Sequence, residues 1–307
     1  MHIKKVIIYL VVILLIVQIL FAFPFFKNLE YKTQDLLFQV RGKLPISDKI
    51  VIIGIDDATF SALDETWPFP RDYHSKLIEN LNQAGAQQII FDIEFTEKSL
   101  PESDLRLAET ANKYQNVIFA GKVLPAQRPG EPSQIIPPVS PIIEYNLPWG
   151  IVNMEADPDG FIRKYTLFEN FDQTKLYSIG IASLANLRVY QNNWAEHIKV
   201  NSKALHLTDK YIPLIDKNKT IINFRGPAGT YPTLSYASIL DDSTFFMPGY
   251  QGTELDEFYE IRDSGVLKNK IVVVGATIDE LHDKFPTPYG GEWTSGVEIQ
   301  ANFLDMV

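Results

Sequence analysis

The sequence predicts an α/β protein: a mainly parallel central sheet flanked by helices, an additional antiparallel β portion, and one transmembrane helix in front. Three observations predict it. Residues 50–55, 88–95 and 270–274 are nearly continuous apolar runs, the pattern of strands buried on both faces. Between the first two lies a helical pattern over 72–84, with Tyr73, Leu77, Ile78, Leu81 and Ala84 recurring at helical spacing before Gly85. Ahead of both, residues 6–23 are apolar except for Tyr9 and Gln18.

The apolar front segment has the length of a bilayer span, about 20 residues at about 1.5 Å each. Lys4 and Lys5 precede it, and Lys27 and Lys32 are the next positive charges. That asymmetry favours a cytoplasmic N-terminus over 1–5, a transmembrane helix over 6–26 and an extracytoplasmic domain over 27–307. A cleaved signal peptide is the alternative, but bulky Phe21, Phe23, Phe25 and Phe26 stand where small residues would mark cleavage. The expected location is the plasma or inner membrane, with a single anchor.

Residues 28–40 place Leu29, Leu36, Leu37 and Val40 on one side of an expected juxtamembrane helix, ended by Gly42 and Pro45. The central unit follows as strand, loop, helix, strand. Asp72 is the expected N-cap of its helix, Gly85 suits the position after it, and the two strands are expected to pair in parallel. Residues 103–114 read as a second helix and 116–120 as a third strand. Residues 125–141 hold six prolines, which excludes helix and central strand and leaves a loop.

Residues 150–154 and 161–168 read as strands joined by the turn Asp157-Pro158-Asp159-Gly160. A helix over 178–190 is expected to be capped by Ser178. Strands over 198–200, 204–207 and 220–224 follow, with a hairpin turn at Asn201-Ser202. A short helix is expected near 235–240, and 241–263 lacks a clear period. The last segment, 296–307, has helical spacing and stops mid-pattern, so the chain is expected to be the front part of a longer protein.

Composition narrows the function. The net charge of −10 argues against nucleic acid as a partner, and the absence of cysteine removes disulfides and thiolate chemistry. The five histidines show no HExxH spacing, and no serine lies in a GxSxG elbow. No catalytic residue, cofactor or metal ligand is assigned.

Several segments together resemble the type-two CHASE domain, the extracellular sensor of bacterial adenylate and guanylate cyclases, histidine kinases and serine/threonine kinases. They are VIIGIDDATF (51–60), WPFPRDYHSKLIENLNQAGA (67–86), IIFDIEFTE (89–97), DPDGFIRKY (157–165), NFRGPAGT (223–230), KIVVVGAT (270–277) and GVEIQAN (296–302). The resemblance covers about 30–306. Ser295 stands where the family usually has proline, and Gln300 where it usually has histidine. The resemblance implies signal sensing, homodimerisation, further transmembrane helices and a cytoplasmic output domain.

Ligands of α/β sheets bind beyond the carboxyl ends of the strands. Those ends carry Asp56 and Asp57, Asp92 with Glu94, and Gly275, Ala276 and Thr277. If the three strands are neighbours, these groups converge on one rim, with Arg71 and Arg225 on loops within reach and Asp283 after the last strand. The ligand-site residues are therefore Asp56, Asp57, Arg71, Asp92, Arg225, Thr277 and Asp283, for an extracellular small molecule, with a protein signal as the other option. The alternative reading gives the carboxylates structural duty, as caps and as partners of Arg71. The loop 225–230 has glycines able to cradle an anion but no P-loop pattern. Two rival functions stay open: an exported metal-dependent hydrolase, and a protein-interaction scaffold.

Overall fold

The computed structural model describes residues 2–21, 24–126, 128, 131, 133–171, 174–189, 194–208, 210–250 and 255–307. Two helices, α1 (His2–Phe21) and α2 (Pro24–Arg41), precede β1 (Ile50–Ile55). Next come α3 (Asp57–Leu63), α4 (Arg71–Gln83), β2 (Gln88–Glu94), α5 (Pro101–Tyr114) and β3 (Val117–Leu124). The middle supplies β4 (Gln134–Ile136), α6 (Ser140–Glu144), β5 (Trp149–Ile151), β6 (Lys164–Thr166), β7 (Phe168–Phe171) and β8 (Thr174–Tyr177). It continues through α7 (Ile179–Val189), β9 (Ile198–Val200), β10 (Ala204–Leu207), β11 (Lys210–Pro213) and β12 (Lys219–Ile221). The last part holds β13 (Thr233–Ser235), α8 (Tyr236–Leu240), α9 (Glu257–Ser264), β14 (Ile271–Ala276), β15 (Lys284–Phe285), β16 (Thr294–Ser295) and α10 (Gly296–Met306).

The central sheet runs β13-β1-β14-β2-β3, with β5 and β4 beyond β3. Every pairing is parallel except that of β4, which closes the edge antiparallel to residues 122–124. The period-2 alternation of strands divides the apolar side chains between two cores. Val51, Ile53, Phe91, Phe119, Val272 and Val274 lie under α3, α4, α5 and α8. Ile50, Ile52, Ile90, Ile118 and Val273 lie under α7, α10 and the antiparallel portion.

Several sequence expectations are corrected. β1 and β2 are parallel but not adjacent, because β14 lies between them. Asp72 is not an N-cap: α4 opens at Arg71 after Pro70 and has no side-chain cap, and Asp72 pairs with Arg106 at 3.2 Å. The proline-rich loop contains the edge strand β4 and leads into α6, whose Pro141 sits in the first turn, where a missing N–H costs nothing. Residues 127, 129–130 and 132 of that loop lie outside the described residues. The expected irregular stretch 241–263 holds α9. The expected span over 6–26 is divided, since α2 opens at Pro24, and residues 22–23 lie outside the described residues. Among the described residues no helix is long and apolar enough to cross a membrane. The described side chains of α1 cover only 4–18, fewer than the roughly 20 residues of a span.

α2 docks on the domain mainly through polar bonds. Asp35 forms a two-pronged pair with Arg163, at 2.8 and 2.7 Å. Gln39 donates to the Pro288 carbonyl at 3.1 Å, and Arg41 donates to Asn223 Oδ1 at 2.6 Å and to the Tyr289 hydroxyl at 3.1 Å. Among the described side chains of α2, Phe38 is the one buried core residue, and it meets Phe224 and Tyr289 edge-on. Leu29, Leu36, Leu37 and Val40 remain exposed on the outside.

Close approach also fixes α7. A Cβ at Gly150 would lie 2.6 Å from both the Cα and the N of Ile179, so β5 meets the start of this helix backbone to backbone. Gly150→Ala must push α7 off β5 and is expected to destabilise the domain by about 1–3 kcal/mol. Urea unfolding of the variant beside the parent measures it, and an unchanged midpoint would contradict this packing.

Candidate functional site

Three strand ends converge as the sequence implied. Gly275 is in register with Gly54 on one side and Asp92 on the other. Here β2 leaves the sheet with Asp92 and Glu94, β3 adds Lys122, and the chain after β14 returns with Asp283. Two cavities share this point. The larger, about 380 Å³, is lined by Trp67, Arg71, Asp92, Glu94, Thr96, Glu97, Lys122 and Asp283, among others. The second, about 300 Å³, is lined by Asp92, Glu94, Val152, Met154, His282, Asp283 and Phe285. Asp92, Glu94, Leu281 and Asp283 form the wall common to both.

The carboxylates of this wall are crowded. Nearby cations are engaged: Lys122 with Glu94, Lys284 with Asp279, and Arg71 with Asp104 at 3.4 Å. Burial pushes Asp283 up to about 7, and the charge of Glu94 adds to it. Burial also raises Asp92 well above the usual carboxylate range, with Asp283 and Glu94 reinforcing the rise and a hydrogen bond from Gln300 opposing it. Two like charges in a partly dry place cannot both form cheaply, so the pair holds a proton near neutral pH.

Both acids touch the first turns of α10. The Gly296 N–H donates to the Asp283 carbonyl at 2.8 Å, and a Cβ at Gly296 would stand 2.4 Å from the Asp283 carboxylate. Only glycine leaves room for that carboxylate at the helix start. Gln300, one turn on, is buried, hydrogen-bonds Asp92 and accepts from the Tyr165 hydroxyl. Tyr165 in turn stacks on Phe303 with ring centroids 3.8 Å apart.

The other expected site residues have structural duties. Asp56 caps α3, a helix the sequence reading missed: its Oδ1 accepts from Thr59 N at 2.9 Å, Thr59 Oγ1 at 2.7 Å and Ser235 Oγ at 2.8 Å. Asp57 is the exposed first residue of that helix. Thr277 ties β14 to β1 by donating its N–H to the Ile55 carbonyl at 3.0 Å. Arg225 does not line the rim cavities; it pairs with Asp305 at 3.3 Å and donates to the Asp305 carbonyl at 2.8 Å. The loop 225–230 does cradle an anion, one supplied from within: Gly229 and Thr230 donate their N–H groups to Glu298 at 2.9 and 2.7 Å. Arg71 does line the larger cavity, where it lies over the Phe95 ring at 4.7 Å and donates to the Glu97 carbonyl at 3.0 Å. Trp67 packs on Phe69 and His74 and also lines that cavity. Lys122 was missed because the third strand was read as ending at 120.

The model of the CHASE2 domain matches residues 10–307. The chain belongs to the CHASE2 family. These domains are extracellular sensory domains of signalling receptors and are not catalytic. No curated protein and no solved structure matches the chain. Among the described residues of this CHASE2 domain, no group of three histidine, aspartate or glutamate side chains is placed to hold a metal ion.

The shifted acids give a signed pH dependence. Between the usual carboxylate value near 4 and about 7, folded Asp283 keeps a proton that the unfolded chain has lost. The folded state therefore binds more protons in that window, and this group's contribution to stability falls as pH rises from about 4 to about 7, then levels off. Asp283→Asn removes the loss, by at most about 4 kcal/mol for a group titrating alone. Calorimetry is expected to show the variant stabilised at about pH 8 but not at about pH 4.5. An equal offset at both would exclude titration of Asp283 as the cause.

Proposed function

We propose that this CHASE2 chain is the extracytoplasmic sensory part of a membrane-anchored receptor, and that a small ligand is received in the cavities around Asp92 and Asp283. The observation that carries this reading is the pair of cavities at the carboxyl ends of β2 and β14, sharing a wall in which Asp92 and Asp283 crowd Glu94, itself paired with Lys122, beside α10. Ligand sites of open α/β sheets lie at such ends, and shifted titratable groups concentrate at functional sites. Sensing then requires two arrangements of the domain with different affinity for the signal. In this reading α2 and α10 are the transmitting elements, and the output is a cyclase or a kinase, as in the receptors the chain resembles.

The anchor is the α1 part, 6–21, of the expected span 6–26, with 1–5 in the cytoplasm and 27–307 outside. In its support, each side chain from 6 to 17 is at least 42 % exposed, on every side of the helix. A helix apolar all round has no stable place in water and is expected in lipid. Its 20 residues reach about 30 Å. Homodimerisation belongs to the same reading, and exposed Leu29, Leu36, Leu37 and Val40 are the apolar surface available to a second copy.

Two experiments test this. Membranes from cells making the full chain should retain it after alkaline extraction, and deletion of 6–21 should release it; a full chain that washes off would remove the anchor. Thermal unfolding of the purified chain against a panel of metabolites and divalent ions should reveal a binder, worth roughly 2.7 kcal/mol at about 100 times its dissociation constant. The shift should vanish in Asp92→Asn. A binder indifferent to Asp92, Arg71 and Asp283 would move the site elsewhere, and silence across the panel would favour a protein signal.

A further inference from the structure

The wall of the cavities is joined to α2 by a short stretch of chain. Asp283 and Phe285 line the cavities, while Pro288 and Tyr289 hold the juxtamembrane helix. The Pro288 carbonyl accepts from Gln39 at 3.1 Å, and the Tyr289 hydroxyl donates to the Gly42 carbonyl at 2.6 Å. The same hydroxyl accepts from Arg41, and its ring meets Phe38 at 6.0 Å. Seven residues, 283–289, thus reach from the carboxylate pair to the helix expected to lead into the membrane.

This stretch is built to pass on a displacement rather than absorb it. Lys284 and Phe285 pair antiparallel with Ser295 and Thr294, the residues that open α10. Thr287 is buried and its hydroxyl lies 3.1 Å from that of Thr294. Pro286 and Pro288 hold φ fixed on either side of it. The Pro286 carbonyl accepts from Ile162 N at 2.9 Å, which ties the stretch to the neighbour of Arg163, the second anchor of α2.

Arg163 is arranged so that α2 can leave. All five of its N–H donors are used: two by Asp35 of α2, two by Asp159 and one by Asp157. Tyr31 of α2 and Phe161 of the domain each meet the guanidinium, at 4.7 and 4.9 Å. When Asp35 and Tyr31 withdraw, Asp157, Asp159 and Phe161 remain, so the buried guanidinium keeps its charge partners. A buried ion pair broken by losing its only partner would be far costlier.

We propose that residues 283–289 form a strap that carries a change at the Asp92–Asp283 cavities directly to α2, loosening or tightening its hold on the domain. The proposal rests on reading those cavities as the signal site. Asp283 and Tyr289 act here as positioning residues.

The test is a double-mutant cycle on the full chain in detergent or lipid discs, read by amide hydrogen exchange of residues 31–41. Asp283→Asn changes the cavity wall without touching α2. It is expected to change exchange there at least about fivefold, the lower range of a coupling between sites. Tyr289→Phe keeps the ring on Phe38 and removes the hydroxyl's bonds to Arg41 and Gly42, so in that background the effect of D283N should shrink to near unity. Exchange of α5 amides serves as the control for global loss of stability. Where D283N does not fold, Asp283→Glu, which lengthens the carboxylate against Gly296, replaces it. No change in α2, a change matched in α5, or an effect undiminished by Y289F would overturn the strap. The cycle needs no ligand, so a silent metabolite panel leaves it standing, and a failed cycle leaves the ligand site standing.

Discussion

The placement of β14 between β1 and β2 is the constraint on which the rest of the structure depends. Two parallel strands separated by one position lie about 10 Å apart and share no hydrogen bonds. The first half of the chain therefore cannot close its own sheet. Val272 and Val274 complete one core and Ile271 and Val273 the other, so a strand from near the end of the sequence supplies both. Whatever follows β14 is brought to the middle of the sheet: Asp283 to the rim, and α10 onto the face over β14 and β1. The price of this arrangement is a long loop that must close before the central contacts form, which makes folding depend on non-local pairing.

Once α10 is in place, polar contacts define its position. Glu298 fills the amide cradle of 229–230, Asn302 Oδ1 accepts from Arg225 N at 2.8 Å, and Asp305 receives Tyr231 Oη at 2.8 Å and Arg225. Such buried polar groups add little net stability compared with apolar ones of equal size, but each mispairing is penalised. They specify one register of α10 against the loop 225–231. The residues that lead into this loop, 223–225, meet the end of α2 and the chain after it, since Arg41 bonds Asn223 and Leu44 N donates to the Arg225 carbonyl at 2.7 Å. The entering helix and the last helix are thus referenced to one short segment.

The strands of the parallel core were legible because burial on both faces leaves unbroken apolar runs, and α4 and α5 because one face alone is apolar. The order of strands was not: nothing local in 270–274 says that it enters between 50–55 and 88–95. α3 was hidden because Asp56-Asp57 also reads as an acidic strand end. The spacing of Asp56 and Thr59, which forms a reciprocal cap, was the available signal. The strand-end rule pointed to Asp92 and Asp283, and the loop position to Arg71, and all three line the larger rim cavity. Arg225 was misplaced because its partner Asp305 and the occupant of its neighbouring cradle, Glu298, lie far away in sequence. A motif shows that an anion is wanted, and only the fold shows that the chain provides it.

Gln300 marks how the site and α10 are joined. The amide of Gln300 is neutral at every pH, hydrogen-bonds the Asp92 carboxylate and accepts from Tyr165. The pH response of the wall is therefore left to the carboxylates themselves. Because α2 is held by bonds to side chains and carbonyls, with Phe38 the one buried core residue among its described side chains, a modest free energy is enough to alter its docking. In the proposed coupling linkage works in both directions: whatever favours one placement of α2 changes the proton and ligand affinity of the cavities by the same factor. On that proposal the state of α2 is part of the definition of the ligand site, and a domain lacking α2 should present a different affinity from the intact chain.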